Sequence, residues 1–278
     1  TLLFGLDTQL AAVAAVFHII NHATFKASLF MAAGIIDHET GSRDMRRING
    51  LWKYMPHTAV LAMVAASAMA GVPLLNGFLS KEMFFTETLH QHLLGGFNWV
   101  IPAAATLAGV FSVAYSLRFI HDVFFNGEPI DLPKYPPHEP PRYMKVPVEV
   151  LVFLCLLVGI VPAYTVAPLL AAAAASTLGG QLPEYSLAVW HGFNLPLLMS
   201  FVALFGGIIV YACRKPLFRW YEGLPTLDAK DAFDQVVRYM TRTSVRITAF
   251  LECGSLQRYL AWMLGSALIL VVVALSPL

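Results

Sequence analysis

Three ionisable residues recur every four positions within one apolar stretch: His18, His22 and Lys26. On a helix that spacing turns about 40° and climbs about 6 Å per step, so the three lie along one slanted stripe. Groups so placed can pass a proton through one or two waters, since imidazole titrates near neutrality and a desolvated amine can be drawn toward it. The pattern predicts a proton relay. The competing reading is two core histidines bonded to neighbours and a lysine that snorkels, and three groups in register argue against it. Lys26 also stands about ten residues, roughly 15 Å, from the charged segment that begins at Asp37, which is far for a side chain to reach water. The relay requires these groups to be kept dry at mid-depth. The histidine pair could instead ligate zinc, but an H-E-x-x-H glutamate and a third ligand are both missing, so no metal is expected.

A second candidate is Lys81. The run Gly71-Val72-Pro73-Leu74-Leu75-Asn76-Gly77 interrupts an apolar helix that starts after Pro56 and resumes near Ser80. A break at membrane depth exposes backbone polar groups and is tolerated where protein or a wet cavity receives them, as at transport sites. Lys81 follows in the first turn of the resumed half, whose positive end disfavours an ammonium and eases proton release, while neighbouring Glu82 pulls the other way. An ordinary Gly-Pro kink with an interfacial lysine is the alternative. Arg118, with His121 and Asp122 three and four residues on, has an intrahelical ion pair within reach; snorkelling explains it as well as a place at the mouth of a proton path. Glu149, early in a later span, is equally open.

The elements that carry these residues follow from composition. Of 278 residues, 58% are apolar and 13% charged, against roughly 45–50% and 25% in soluble domains. That is a membrane composition. A net charge of +1 excludes nucleic acid as a partner, and high apolar content excludes disorder. Cys155, Cys213 and Cys253 are odd in number and far apart, so they form no disulfide or metal framework. The chain opens on Thr1 with no basic leader, which reads as part of a longer chain.

Six stretches are apolar and long enough to cross a bilayer: 8–36, 57–94 with a break, 99–125, 147–170, 194–213 and 259–276. The connection from Asp37 to Pro56 holds four cations, the Pro-rich one after Phe125 three and the segment after Tyr211 eight; the two alternate connections, near 90–98 and 177–193, hold none. This alternation agrees with the positive-inside rule and makes the basic side cytoplasmic. It leaves Lys26, Lys81 and Arg118 inside spans, where a charge costs about 2.5–3.5 kcal/mol on translocon scales and marks a functional position. The runs Ala171 to Ala175 and Gly206-Gly207 read as close helix packing. From Asp231 to Leu251 apolar residues keep helical spacing while Asp234, Arg238, Arg242 and Arg246 take another face. This describes an amphipathic helix on the cytoplasmic surface, a brace between subunits, or a solvated loop helix.

The fold expected is all-α: a polytopic membrane helix bundle with a discontinuous helix and a cytoplasmic-surface amphipathic helix. Its divisions are 1–125, carrying the ionisable residues; a Pro-rich cytoplasmic connection, 126–146; further transmembrane helices, 147–213; a basic amphipathic segment, 214–258; and a last span, 259–278.

The string from Phe17 to Phe30 resembles the F-H-x-x-x-H-A-x-F-K-A-x-L-F signature of antiporter-like proton-translocating subunits. Gly77-Phe78-Leu79-Ser80-Lys81-Glu82 resembles the matching broken-helix motif, with the lysine found in the largest such subunit of respiratory complex I and in the largest subunit, MrpA, of Mrp-type cation/proton antiporters. Trp190 to Leu197 and Gly254 to Leu260 are similar to MrpA rather than to complex I. The resemblance implies a multi-subunit antiporter exchanging sodium for protons across a bacterial cell membrane, embedded in lipid beside companion subunits, with no cofactor in this chain. By similarity Lys26 is the central carrier, His18 and His22 its partners, and Lys81 the terminal site toward the outside. Nothing in the chain matches the family's earlier helices with their Glu and Lys pair, so it is expected not to transport alone. Two alternatives remain: a proton-pumping subunit of a redox complex, and a membrane scaffold whose buried charges tie helices together.

Overall fold

The computed structural model describes residues 2–91, 95–223, 229–252 and 254–275. They divide into two compact units, Thr1–Lys215 and Pro216–Leu278. Regular structure is helical throughout, with no strand among the described residues.

The first unit is organised around α1, Gln9–Thr40. The Thr8 side chain caps its start by accepting from the Ala11 amide at 3.0 Å, and Gly41 ends it at a left-handed φ of 70°. Its 32 residues extend about 48 Å, more than a hydrocarbon core is thick. Small residues such as Ala11, Ala14 and Ala32 are fully buried on it, and four helices lie against it: α2 (Pro56–Ala70), α3 (Asn76–His90), α5 (Arg142–Ile160) and α7 (Ala167–Leu178).

Helices α2 and α3 are the predicted interrupted span. Each has 15 residues, about 22 Å of rise, so only the pair together crosses. Gly71 stops α2 at φ 84°, and the amides of Gly71 and Val72 turn back onto the carbonyls of Ser67 and Ala68 at 3.0–3.1 Å. The break is packed by glycines. A Cβ at Gly77 would run into the Ala68 carbonyl oxygen, and one at Gly159 of α5 into the Leu74 carbonyl.

Helix α4, Val100–Ile120, runs into a wider π-type turn, His121–Phe125. It packs against α8, Leu195–Ala212, where Gly109 faces Ala203, Gly206 faces Val110 and Gly207 faces Val113. This is the close small-residue packing expected of Gly206-Gly207. Ala174, within the expected alanine run, is buried between α7 and α1 beside Leu170.

One span differs from expectation. The stretch 147–170 is not a continuous helix: α5 starts at Arg142 and ends at Ile160, Val161 leaves helical geometry, and Pro162 opens a single turn, α6 (Pro162–Thr165), before α7. Proline has no amide to continue the ladder and its ring obstructs the preceding turn.

The connections on either side of α1 and α4 meet at one end of the unit. Arg47 pairs with Asp131 at 2.6 Å, Lys53 with Glu128, and the Lys134 ammonium donates to the His38 carbonyl at 2.7 Å. Trp52 stacks on Phe125, ring centroids 5.4 Å apart. Two of the three basic connections thus lie together, as the charge alternation required. Within this end the Arg46 guanidinium beside Asp44 holds that carboxyl at about 2, so the turn keeps its charges across the physiological range. Glu139 reaches the start of α2, its carboxylate accepting from the amides of His57 and Thr58 at 2.6 and 3.1 Å and from the Thr58 hydroxyl at 3.0 Å.

After α9, Arg214–Glu222, the second unit contains α10, Ala229–Leu251, and α11, Leu256–Leu275, with Phe250 edge-on to Trp262 at 5.3 Å. Helix α10 matches the predicted amphipathic segment. Cys253, Thr1 and the end of the last expected span at 276 lie outside the described residues. By length and composition five helical stretches suit a membrane crossing, and α2 with α3 makes the sixth.

Candidate functional site

On α1 the rings of His18 and His22 stand 5.8 Å apart, and the Lys26 ammonium lies 5.9 Å from the centre of the Tyr115 ring on α4. The stripe runs from α3 toward α4, since His18 Nδ1 meets the Ser80 hydroxyl at 3.3 Å. His18 and Lys26 are half-buried, whereas His22 is exposed. The requirement that all three be enclosed is therefore not met within this chain. No helix of the unit covers that side of α1, where Ile19 and Phe30 are also exposed. Lys26 lines a cavity of about 220 Å³ with Met69, Tyr115 and Phe119.

Lys81 sits where the two halves of the broken helix meet. Its ammonium donates to the Ala70 carbonyl at 2.7 Å and to the Ser112 hydroxyl at 3.3 Å, and that hydroxyl donates to the Met69 carbonyl at 3.1 Å. This corrects the electrostatic expectation. Helix α3 resumes at Asn76, not near Ser80, so Lys81 lies in its second turn, where the positive end has faded. The side chain reaches back instead to the last carbonyls of α2, the negative end of that helix. Gly71 leaves room for it, because a Cβ there would lie 2.7 Å from Lys81 Cδ. Lys81, Ser112 and His18 line one cavity of about 330 Å³. Close by, Asn21 and Asn76 are buried in contact, with Asn21 Nδ2 and Asn76 Oδ1 unpaired among the described residues.

Glu82 does not act beside Lys81. One residue further along a helix is about 100° around it, and Glu82 turns to the opposite side of α3, buried in contact with Asn194 at 3.4 Å and His191 at 3.5 Å. Arg118 pairs with Asp122 at 3.4 Å, as the spacing allowed, and Asp122 also meets His121 at 3.2 Å and the Tyr211 hydroxyl at 3.3 Å. Glu149 lies 3.5 Å from His57 at the start of α2. Neither group joins the His18–Lys26 stripe or the Lys81 cavity. Ser80, Ser112 and Tyr115, which touch the site, carry no signal in the sequence: single hydroxyls in apolar helices usually bond their own backbone, as Ser116 does to the Ser112 carbonyl at 2.7 Å.

A bundle with a broken helix and intramembrane lysines defines a polytopic transport subunit, and comparison with known proteins agrees. Residues 1–110 match the family described as NADH:quinone oxidoreductase/Mrp antiporter, transmembrane. The chain is 59% identical over 241 residues to the probable A/B subunit of the K(+)/H(+) antiporter of Rhizobium meliloti, covering 85% of the chain and 24% of that protein. It is 38% identical to the corresponding large subunit of the Na(+)/H(+) antiporter of Bacillus subtilis, over 94% of the chain and 34% of that protein. Its fold matches a chain of the Mrp complex from Dietzia sp. with TM-score 0.78 and 31% identity, covering 99% of this chain and 30% of that one. A chain of Thermus thermophilus respiratory complex I with bound NADH matches with TM-score 0.50 and 25% identity, over 63% of this chain and 36% of that one. The chain belongs to the MrpA family of antiporter subunits and is a multi-pass membrane protein. It spans between about a quarter and a third of the length of these curated relatives.

Proposed function

We propose that the chain is the part of a cation/proton antiporter subunit that carries protons through His18, His22, Lys26 and Lys81, coupled to export of sodium or another monovalent cation. The observation that supports it is the cavity shared by His18 and Lys81: it joins the α1 stripe to the broken helix through space large enough for several waters. Lys26 is the central carrier, and Lys81 the terminal site away from the basic connections, which face the cytoplasm. Each proton crossing 100 mV releases about 2.3 kcal/mol, enough to move a cation outward against its gradient. Other subunits of the complex and the rest of this one complete the path.

The likeness to complex I also suits a proton-pumping subunit of a redox enzyme. Coverage of 99% of the chain by the Mrp complex against 63% by complex I favours the antiporter. Substituting Lys26→Ala in the whole complex, reconstituted in everted vesicles, tests the relay. Loss of sodium- or potassium-dependent collapse of the pH gradient, with the complex still assembled, is the expected result. Near-normal exchange would leave only the scaffold reading, and proton movement driven by NADH alone would assign the chain to a redox complex.

A further inference from the structure

Consecutive residues of α3 serve separate cavities. Lys81 opens on the one it shares with His18; Glu82 opens on a second, of about 270 Å³, with no lining residue in common. This second cavity lies between α3 and the irregular segment 179–194, at the end of the unit away from the basic connections. A non-helical stretch of that length in a bundle is more often functional than a plain link.

The segment brings one imidazole to one buried carboxylate. His191 Nδ1 is 3.5 Å from Glu82 Oε1, and His191 Nε2 is 3.3 Å from the Ser186 hydroxyl. The Glu82 side chain is 7% exposed and that of His191 35%, so the ring bridges a dry group and a wet one. Its partner is held in place: Asn194 caps α8 by accepting from the Leu197 amide at 2.9 Å, which fixes the amide Nδ2 it turns toward Glu82. The other titratable groups facing the cavity are Glu87 of α3, buried and bonded by the Thr8 hydroxyl at 3.1 Å, and Glu184 and Tyr185 of the segment; α1 contributes only the apolar Leu10 and Phe17. The surroundings are anionic, which favours a protonated ring without supplying a second base in contact with it.

We propose that His191 exchanges protons between buried Glu82 and the water at this end of the bundle. A proton taken up on Nε2 and one released from Nδ1 to Glu82 Oε1 carry one proton inward and neutralise the carboxylate; the reverse order carries it out, and tautomer exchange resets the ring. Glu82, one residue from Lys81, then becomes a counter-charge that switches with the pH of that compartment and biases the lysine across the wall of α3. The proposal rests on the Lys81 reading above and adds the group that links it to one bulk phase.

The test uses the whole complex in proteoliposomes with the pH on each side set independently. His191→Asn keeps an amide where Nδ1 stands but cannot titrate. It is expected to slow cation-dependent proton exchange by at least about tenfold, the lower range of a lost proton-transfer group. It should also flatten the dependence of rate on pH at the side opposite the basic connections, leaving the other side's profile unchanged. His191→Gly should regain exchange when imidazole is added to that same side. A wild-type rate and profile in His191→Asn would overturn the proposal, as would a slowed variant whose profile keeps its shape and which imidazole does not restore. Should neither variant assemble, Glu82→Gln carries the same expectation, and an unaltered profile in it is equally decisive. An inactive Lys26→Ala beside a wild-type His191→Asn defeats this assignment alone, whereas an active Lys26→Ala defeats the relay beneath it.

Discussion

Replacing Lys81 by arginine separates the two things a buried cation can do. The Ala70 carbonyl and the Ser112 hydroxyl, both occupied by the ammonium, remain available to a guanidinium, and the adjoining cavity of about 330 Å³ receives its extra bulk. The charge and the backbone contact are kept. What is lost is the neutral form: with reference values near 10.4 for lysine and 12.5–13.8 for arginine, it becomes scarcer on the order of 10²- to 10³-fold at any working pH. A relay that needs Lys81 to release its proton should slow by a comparable factor in Lys81→Arg, while native electrophoresis shows a complex of normal composition. Lys81→Met differs, because it leaves the Ala70 carbonyl without its charged donor and costs about 1.5–3 kcal/mol of local stability. That variant should lose exchange and also dissociate at lower temperature. The assay is cation-induced collapse of a pH gradient in everted vesicles, normalised to assembled complex. Near-normal exchange in Lys81→Arg would remove Lys81 from the proton path and reduce it to a pin between α2 and α3.

Two further substitutions test the scaffold that holds the site. Gly77→Ala should disable transport by pushing its methyl into the Ala68 carbonyl oxygen; an overpacked site of this kind costs about 1–3 kcal/mol, and an active, stably assembled variant would show that the break tolerates movement. Glu139→Ala removes the acceptor for two amides at the start of α2 and should lower stability by about 1–2 kcal/mol, as for a lost helix cap; an unchanged thermal dissociation of the complex would show that the cap contributes nothing.

Much of the architecture is legible in residue types alone. Hydropathy locates the crossings and charge alternation places two basic connections at one end, because both are properties of long segments that tertiary contacts do not reverse. The four-residue recurrence of His18, His22 and Lys26 needs only helical geometry to become a stripe. Sequence misleads where a long side chain can choose between two helix ends. Lys81 reads as belonging to the near end of α3, yet its flexible stem carries the ammonium to α2. Contacts across the chain are equally hidden: Glu139 caps a helix more than eighty residues before it, and the Glu82–His191 pair spans more than a hundred. His191 stands out only as part of a family motif, since one histidine in an irregular segment announces no partner. Helix α5 stops at Ile160 because the hydropathy of 147–170 masks a proline whose own chemistry flags the break.

The separation of the Lys81 and Glu82 cavities by a single helix has a consequence for energy conservation. A continuous thread of solvent across the bilayer would let ions run down their gradients uncoupled, and the stored voltage would dissipate as heat. The body of α3, with Phe78, Leu79 and Phe85 buried along it, is an insulator between two dead-end wells. Charge on one side can sense charge on the other through a few ångströms of protein, yet no hydrated ion can follow.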